Sequence, residues 1–264
     1  MELGKSEVSE TGGESFELGF DPDKLIDGDA GKSDAPEESD TPEAGVNPET
    51  VLHDPRQLAT PVEGLKQTRQ DYEQIENGNT IYDHPSETGK KLNSNQGEAV
   101  EGVMGDCGLV SAENICALAE KEPKPSEADV VSIAINNGLC DFNPDDNPSN
   151  NGAANAKQIR DVLGVLGIDS EVKIAPSINE VVNDVESGRG VIAGVDTSKF
   201  WNDYPYKEGH AVTLTSVERD LDGSVVAFYV CDSGEDGDSG CKRVDASRLE
   251  SSLMETVVTT DPIR

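Results

Sequence analysis

The chain has 264 residues, of which 34% are hydrophobic and only 4% aromatic, and its formal net charge is −32. An acidic balance of this size argues against binding to nucleic acid, which takes clustered Lys and Arg, and against docking on an anionic membrane surface. No run approaches the roughly 20 apolar residues of a membrane-spanning helix. A uniformly folded chain of this composition would have a thin core, so the charge is expected in an unfolded part and the apolar residues in a folded one.

Residues 1–60 are rich in Glu, Asp, Ser, Gly and Pro, as in GDAGKSDAPEESDTPEAGVNPET, with no sustained apolar period. Such a segment cannot offset the entropy of ordering it and reads as a disordered acidic leader or linker; an acidic docking tail is the second reading. GDAGKSD lacks the spacing and flanking strand of a phosphate loop. The start MELGKSEVSETGG has neither the basic residues nor the apolar stretch of a secretory signal. Export by that route is not expected, and localisation stays open; the chain also reads as one piece of a larger exported protein.

Residues 61–81 form a lead-in, with a short helix expected over Val62–Gly78 and stopped by Asn77-Gly78. A folded domain follows over residues 82–264. A helix is predicted from Cys107 to about Glu120. Ser126 with Asp129 caps a second helix, ADVVSIAINNG. A third runs from about Ala153 to Leu166, with Ile159, Val162, Leu163 and Leu166 on one face, and Ser177 with Glu180 caps a fourth. Then the period becomes extended. GVIAGVD (Gly190–Asp196) reads as a buried strand, and His210–Asp220 alternates apolar and polar residues. Asp222-Gly223 supplies a hairpin turn to the partner strand SVVAFYVCD, and METVVTTD is a further strand. Helices first and antiparallel strands later make an α+β fold, a helical half packed on an antiparallel sheet.

The densest chemical signal is GDCGLVSAENI, Gly105–Ile115. A cysteine that opens a helix faces unsatisfied N–H groups and the positive end of the dipole, which favour a thiolate. Flanking glycines admit a substrate carbonyl, and the cysteine's own N–H can donate to an oxyanion. Of the three histidines, His53 lies in the expected linker and His84 in the turn-like IYDHPSETG. His210 alone opens a strong strand, after Gly209, and is the candidate base. If the two strands pair through Asp222-Gly223, the far end of the second returns level with His210. That places Asp232 beside the imidazole as its orienting carboxylate; Asp220 and Asp222 are less well placed.

Cys116 and Cys140 read as buried packing residues. Cys231 and Cys241 bracket a loop that a disulfide would close in an oxidising compartment, and are otherwise packing residues. Zinc held by these two and His210 lacks a fourth ligand. DFNPDDNPSNNG (Asp141–Gly152) alternates carboxylates like a calcium loop but lacks the central Gly and final Glu. No metal and no cofactor is therefore expected. Trp201 reads either as lining a groove or as half-buried packing.

The order Gln, then Cys at a helix start, then Gly-His on a strand, then Asp ending the next strand resembles the papain-like cysteine peptidase fold. NQG…GDCGLVSAENI, GRGVIAGVDTSKFW, GHAVTLTSV and FYVCDSG look like the papain-fold domains at the C-termini of bacterial polymorphic toxins, and are similar to bacteriocin-leader peptidases. The resemblance covers roughly Tyr82–Arg264. It implies Cys107 as nucleophile, His210 as base, Asp232 as orienting residue and Gln96 as oxyanion donor. Glu101 holds the position nearer the cysteine, so the loop is longer than in papain, and Asn95 is the second candidate donor. The implied activity is hydrolysis of an amide or isopeptide bond in a protein or peptide substrate through a thioester, in a toxin effector or processing protease, with an immunity or inhibitor protein as a partner. The same three residues would serve a glutamine deamidase or a transglutaminase-like acyltransferase, and a non-catalytic papain-fold binding module is the alternative outside chemistry.

Overall fold

The computed structural model describes residues 52–62, 72–82, 92, 95–201, 204–234 and 242–263. Most of the acidic leader, residues 63–71 of the lead-in, His84 and Cys241 lie outside the described residues.

Four helices build one side of the domain: α1 (Pro55–Leu58), α2 (Cys107–Leu118), α3 (Glu127–Asn136) and α4 (Ala156–Val165). The capping box expected at Ser126 and Asp129 starts α3, and a second one, from Asn155 and Gln158, starts α4 a turn later than expected. Helix α2 is buried on every side from Gly108 to Leu118, as befits a helix apolar nearly all round. Ile159, Val162, Leu163 and Leu166 point inward as their spacing predicts.

The sheet is antiparallel in every pairing. Its strands are β1 (Tyr72–Gln74), β2 (Thr80–Tyr82), β3 (Ser170–Ile174), β4 (Arg189–Asp196), β5 (Gly209–Arg219), β6 (Val225–Cys231), β7 (Lys242–Asp245) and β8 (Leu253–Pro262). The order β1-β2-β5-β4-β8-β3 runs along one path, and β6 and β7 extend from the other edge of β5. Ile192, Ala211, Cys231 and Val258 face the core shared with α1–α4. Val191, Ala193, Val212, Leu214, Phe228 and Val257 face a second core. That second face is covered by α5 (Ile178–Glu186), α6 (Thr197–Phe200) and α7 (Ala246–Ser252), so the sheet lies between two helical layers. Ser177 and Glu180 form the expected capping box on α5.

Two expectations need correction. Tyr72–Gln74 is a strand rather than part of a helix: it pairs with β2, whose other edge joins β5, and Asn77-Gly78 turns a hairpin instead of ending a helix. The backbone partners offered by that edge outweigh the weak helical period. The described end of the leader, residues 52–60, packs on the domain: Leu58 is buried, Lys121 Nζ donates to the Thr60 carbonyl at 2.6 Å, and His53 binds Asp129 through both its N–H and Nδ1 at 2.7 Å. The alternation of β5 does not divide core from solvent. Nine consecutive residues are buried, because the polar row lies under α2, where Thr213 Oγ1 donates to the Ser111 carbonyl at 3.4 Å.

The loop that resembled a calcium site is held by its own amides. Asn151, almost fully buried, donates to the Gly102 and Asn143 carbonyls, both at 3.0 Å. This loop braces the approach to α2: Met104 N–H donates to the Pro148 carbonyl at 3.0 Å and Gly105 N–H to that of Asn151 at 2.8 Å. A Cβ on Gly105 would stand 2.4 Å from the Ser149 carbonyl oxygen. Gly105→Ala is therefore expected to destabilise the domain by about 1–3 kcal/mol, read from urea unfolding, with an unchanged m-value.

Candidate active site

Three of the four residues singled out in the sequence meet at one point. Cys107 is the first residue of α2, His210 the second of β5, and Asp232 the first beyond β6. Asp106, the N-cap of α2, makes no side-chain cap bond, which leaves first-turn N–H groups for the sulfur. Gly108 N–H and Ala211 N–H both reach Sγ, the latter at 3.4 Å.

His210 Nε2 bonds Asp232 Oδ1 at 2.8 Å. A carboxylate only accepts, so Nε2 carries a proton and Nδ1 is the nitrogen turned to the thiol. Asp232 reaches the ring from beyond the strand rather than level with it. Cys231 pairs with Thr213, three residues along from His210, a register already set where Arg219 meets Val225 beside the turn; the two β-bulges, at Leu214/Ser216 and Glu218/Arg219, cancel each other.

Asp232 is 1% exposed, and a buried carboxylate must have donors. Besides His210 it accepts from Trp201 Nε1 at 2.7 Å and Gly234 N–H at 3.0 Å, with Lys242 Nζ at 3.6 Å. The Trp201 ring also lies tilted over the imidazole, centroids 4.9 Å apart. Trp201 ends α6, where its N–H donates to the Thr197 carbonyl at 2.9 Å, and Thr197 in turn ties down the return segment through Tyr206 and Glu208. Gly234 is a steric necessity, since a Cβ there would lie 2.8 Å from Trp201 and 3.0 Å from His210.

Burial opposes charge on each member of the group, yet their mutual contacts win. Burial would lower His210, but bonds to Asp232 and Cys107 and the charges of both raise it to about 9. Burial would raise Cys107, but the His210 bond and charge, helped by the Ala211 and Gly108 N–H groups, bring the thiol below its usual value. Burial would likewise raise Asp232, while His210, Trp201 and Gly234 hold it down at about 2. The arrangement favours a thiolate beside an imidazolium at neutral pH. Cys116 and Cys140 are the opposite case, both pushed up to about 12 by burial.

Gln96 enters the same corner through other partners. Its N–H donates to the Ser233 carbonyl at 3.1 Å, its Oε1 accepts from Ser233 Oγ at 3.2 Å, and its amide donates to the Met104 carbonyl at 2.9 Å. Asn95 instead donates to Glu98 at 3.1 Å. His53 is committed to Asp129, away from this corner. Among the described residues no group of three or more His, Cys, Asp or Glu side chains could hold a metal ion. Also among the described residues, no helix is long and apolar enough to cross a membrane.

Sequence reasoning missed the anchoring of Asp232 by Trp201, the chain's single tryptophan, and the support given to the sulfur by Ala211. The first left a trace in FW just after a strand and a turn; the second is a backbone group and leaves none.

No protein-family model matches the chain, and no curated protein matches it. Among solved structures it is similar to a protein from Bacillus anthracis described as a C39-like peptidase, with 12% identity, a TM-score of 0.47, and 65% of this chain and 94% of that one covered. It is similar to the peptidase domain of Streptococcus ComA at 13% identity and a TM-score of 0.41, covering 65% of this chain and 98% of that one. It is also similar to the proform of the ragweed cysteine protease Amb a 11 at 14% identity and a TM-score of 0.40, covering 68% and 64% respectively.

Iodoacetamide checks the ion pair directly. Cys107 is expected to be labelled near pH 6 at least about 10-fold faster than Cys140, as peptide mass spectrometry will show. In His210→Ala the rate is expected to drop and to climb only through the ordinary thiol range.

Proposed function

We propose that this domain is a papain-like cysteine hydrolase that cleaves an amide or isopeptide bond in a protein or peptide. The observation that carries the reading is the chain of contacts from Cys107 through His210 to Asp232, with the sulfur at a helix start and the carboxylate buried.

Cys107 Sγ attacks the carbonyl carbon, and the electron pair of the C=O bond moves to oxygen. The Cys107 N–H and the amide of Gln96 are the assigned donors to that oxyanion. One Gln96 amide hydrogen goes to Met104, which leaves the second for substrate, and Ser233 fixes the orientation by holding Oε1. The imidazolium gives its Nδ1 proton to the leaving nitrogen as the C–N bond breaks, leaving a thioester. The neutral ring then takes a proton from water, whose oxygen attacks the thioester and releases the acid and the thiolate. Asp232 keeps the Nε2 proton in place and stabilises the imidazolium in both halves without taking the proton itself. Trp201 holds the carboxylate and covers the ring, which excludes water from the pair.

The role of effector end of a delivered bacterial toxin, or of a processing protease, rests on the resemblance of the sequence motifs and belongs to the same proposal.

A proteome-wide cleavage screen comparing the wild type with Cys107→Ala tests the reading. New termini are expected only with the wild type. Gln96→Ala should retain cleavage at a rate lower by about 10²–10³. A one-dalton shift without new termini would make the enzyme a deamidase, and identical protein populations with both variants would sink the hydrolase reading.

A further inference from the structure

Two buried carboxyl groups beside the nucleophile have no part in the chemistry above. Asp106, immediately before Cys107, is 0% exposed, and its carboxylate oxygens have no well-formed hydrogen bond, although the N–H groups of Asp106 itself and of Gly97 lie close enough to favour its charge. What it does face is the carboxyl of Glu127, the first residue of α3, which is 7% exposed. Glu127 is occupied on its other side: its Oε1 accepts the N–H groups of Gly97, Glu98 and Ala99 at 3.0, 3.2 and 3.3 Å. Those are the three residues that follow Gln96. Gly97 sits at φ +80, a conformation that suits glycine, and turns the backbone so that successive N–H groups converge on one oxygen.

Two carboxylates in a buried contact repel each other, and neither can donate. A single proton between them turns the contact into a hydrogen bond and removes one of the two charges. We propose that Asp106 and Glu127 share one proton, and that this pair is a positioning clamp which holds the Gln96 loop against the start of the nucleophile helix. The role assigned to the loop rests on the hydrolase reading above; the shared proton does not.

The electrostatics agree in direction. Burial raises both acids, Asp106 to about 6 and Glu127 to about 8, and the contact between them adds to the rise on Glu127. The titratable groups facing the pair are Cys107 on α2, whose charge raises Asp106, and Cys140 beyond α3, on which Asp106 acts in turn. On the first turn of α3, Asp129 is bound by Ser126 and His53, and on the loop Glu98 is bound by Asn95. A carboxyl whose folded pKa lies above its unfolded one binds its proton more tightly in the folded state. The stability it contributes is present below the unfolded value and is lost as pH rises through about 8 for Glu127.

The test uses Cys107→Ala as background, so that the thiolate does not titrate. Its thermal midpoint is expected to fall between about pH 6 and about pH 9, and adding Glu127→Gln is expected to remove most of that fall. The amide keeps an oxygen for the three loop N–H groups and puts an N–H where the proton was. Should Glu127→Gln fail to fold, the unmodified protein still reports. Its infrared spectrum is expected to hold a protonated-carboxyl band at neutral pH that fades by about pH 9. Parallel pH profiles with and without Glu127→Gln, or no such band, overturn the clamp. In the active protein, Glu127→Ala is expected to lower turnover by about 10²-fold, as loss of Gln96 would, with Glu127→Gln restoring it. A Glu127→Gln protein as impaired as Glu127→Ala overturns the positioning role. If Cys107 proves inert while the unfolding step persists, the hydrolase reading falls and the shared proton stands.

Discussion

The contact on which the rest of the domain depends is the 2.8 Å bond between His210 and the buried carboxylate of Asp232. A carboxylate taken out of water costs several kcal/mol unless donors replace the lost hydration. Here the donors come from three separate stretches: the imidazole from β5, the indole from the end of α6, and a backbone N–H from the turn after β6. Once the carboxylate is satisfied in that way, the imidazole gains charge, and the sulfur facing it loses its proton. The acidity of the sulfur is thus decided at a carboxylate with which it shares no direct contact.

The fold supplies the rigidity this needs. Strand β5 is buried on both faces and bordered by β4 and β6, so the position of His210 at its start is set by the pairing of Val195 with His210 and of Asp196 with Gly209. Helix α2 is enclosed on all sides, and its first residue is braced from below by the Asn151 loop. Neither the sulfur nor the ring can shift without moving a packed element. Interiors at native density resist such shifts.

The donor loop is tied from both directions. Ser233, next to Asp232, holds Gln96, while Glu127 gathers the following N–H groups and meets Asp106 next to Cys107. The three segments that carry the proposed nucleophile, its carboxylate and the proposed oxyanion donor are therefore linked by side chains adjacent to Cys107, Asp232 and Gln96. In the proposed arrangement a single proton closes that ring of contacts.

Much of this was legible in the sequence, because the signals are local. A capping box names its own helix start, an Asp-Gly turn names its hairpin, and a cysteine between glycines at a helix start carries its own electrostatic argument. Cys107, His210 and Asp232 could thus be picked out, and the fold brings them together, although Asp232 comes from beyond the strand and not from the register level with His210 that the hairpin argument used. What the sequence could not decide were matters of pairing between distant stretches. Tyr72–Gln74 is a strand only because β5 offers an edge through β2, and the polar row of β5 is buried only because α2 lies over it. Trp201 donates to Asp232 across 31 positions, and Asp106 meets Glu127 from another helix. Periodicity and capping act within one turn or one strand, whereas desolvation and charge depend on what the folded chain places within a few ångströms. The local code wrote the elements and nominated the reactive side chains, and tertiary packing set their protonation.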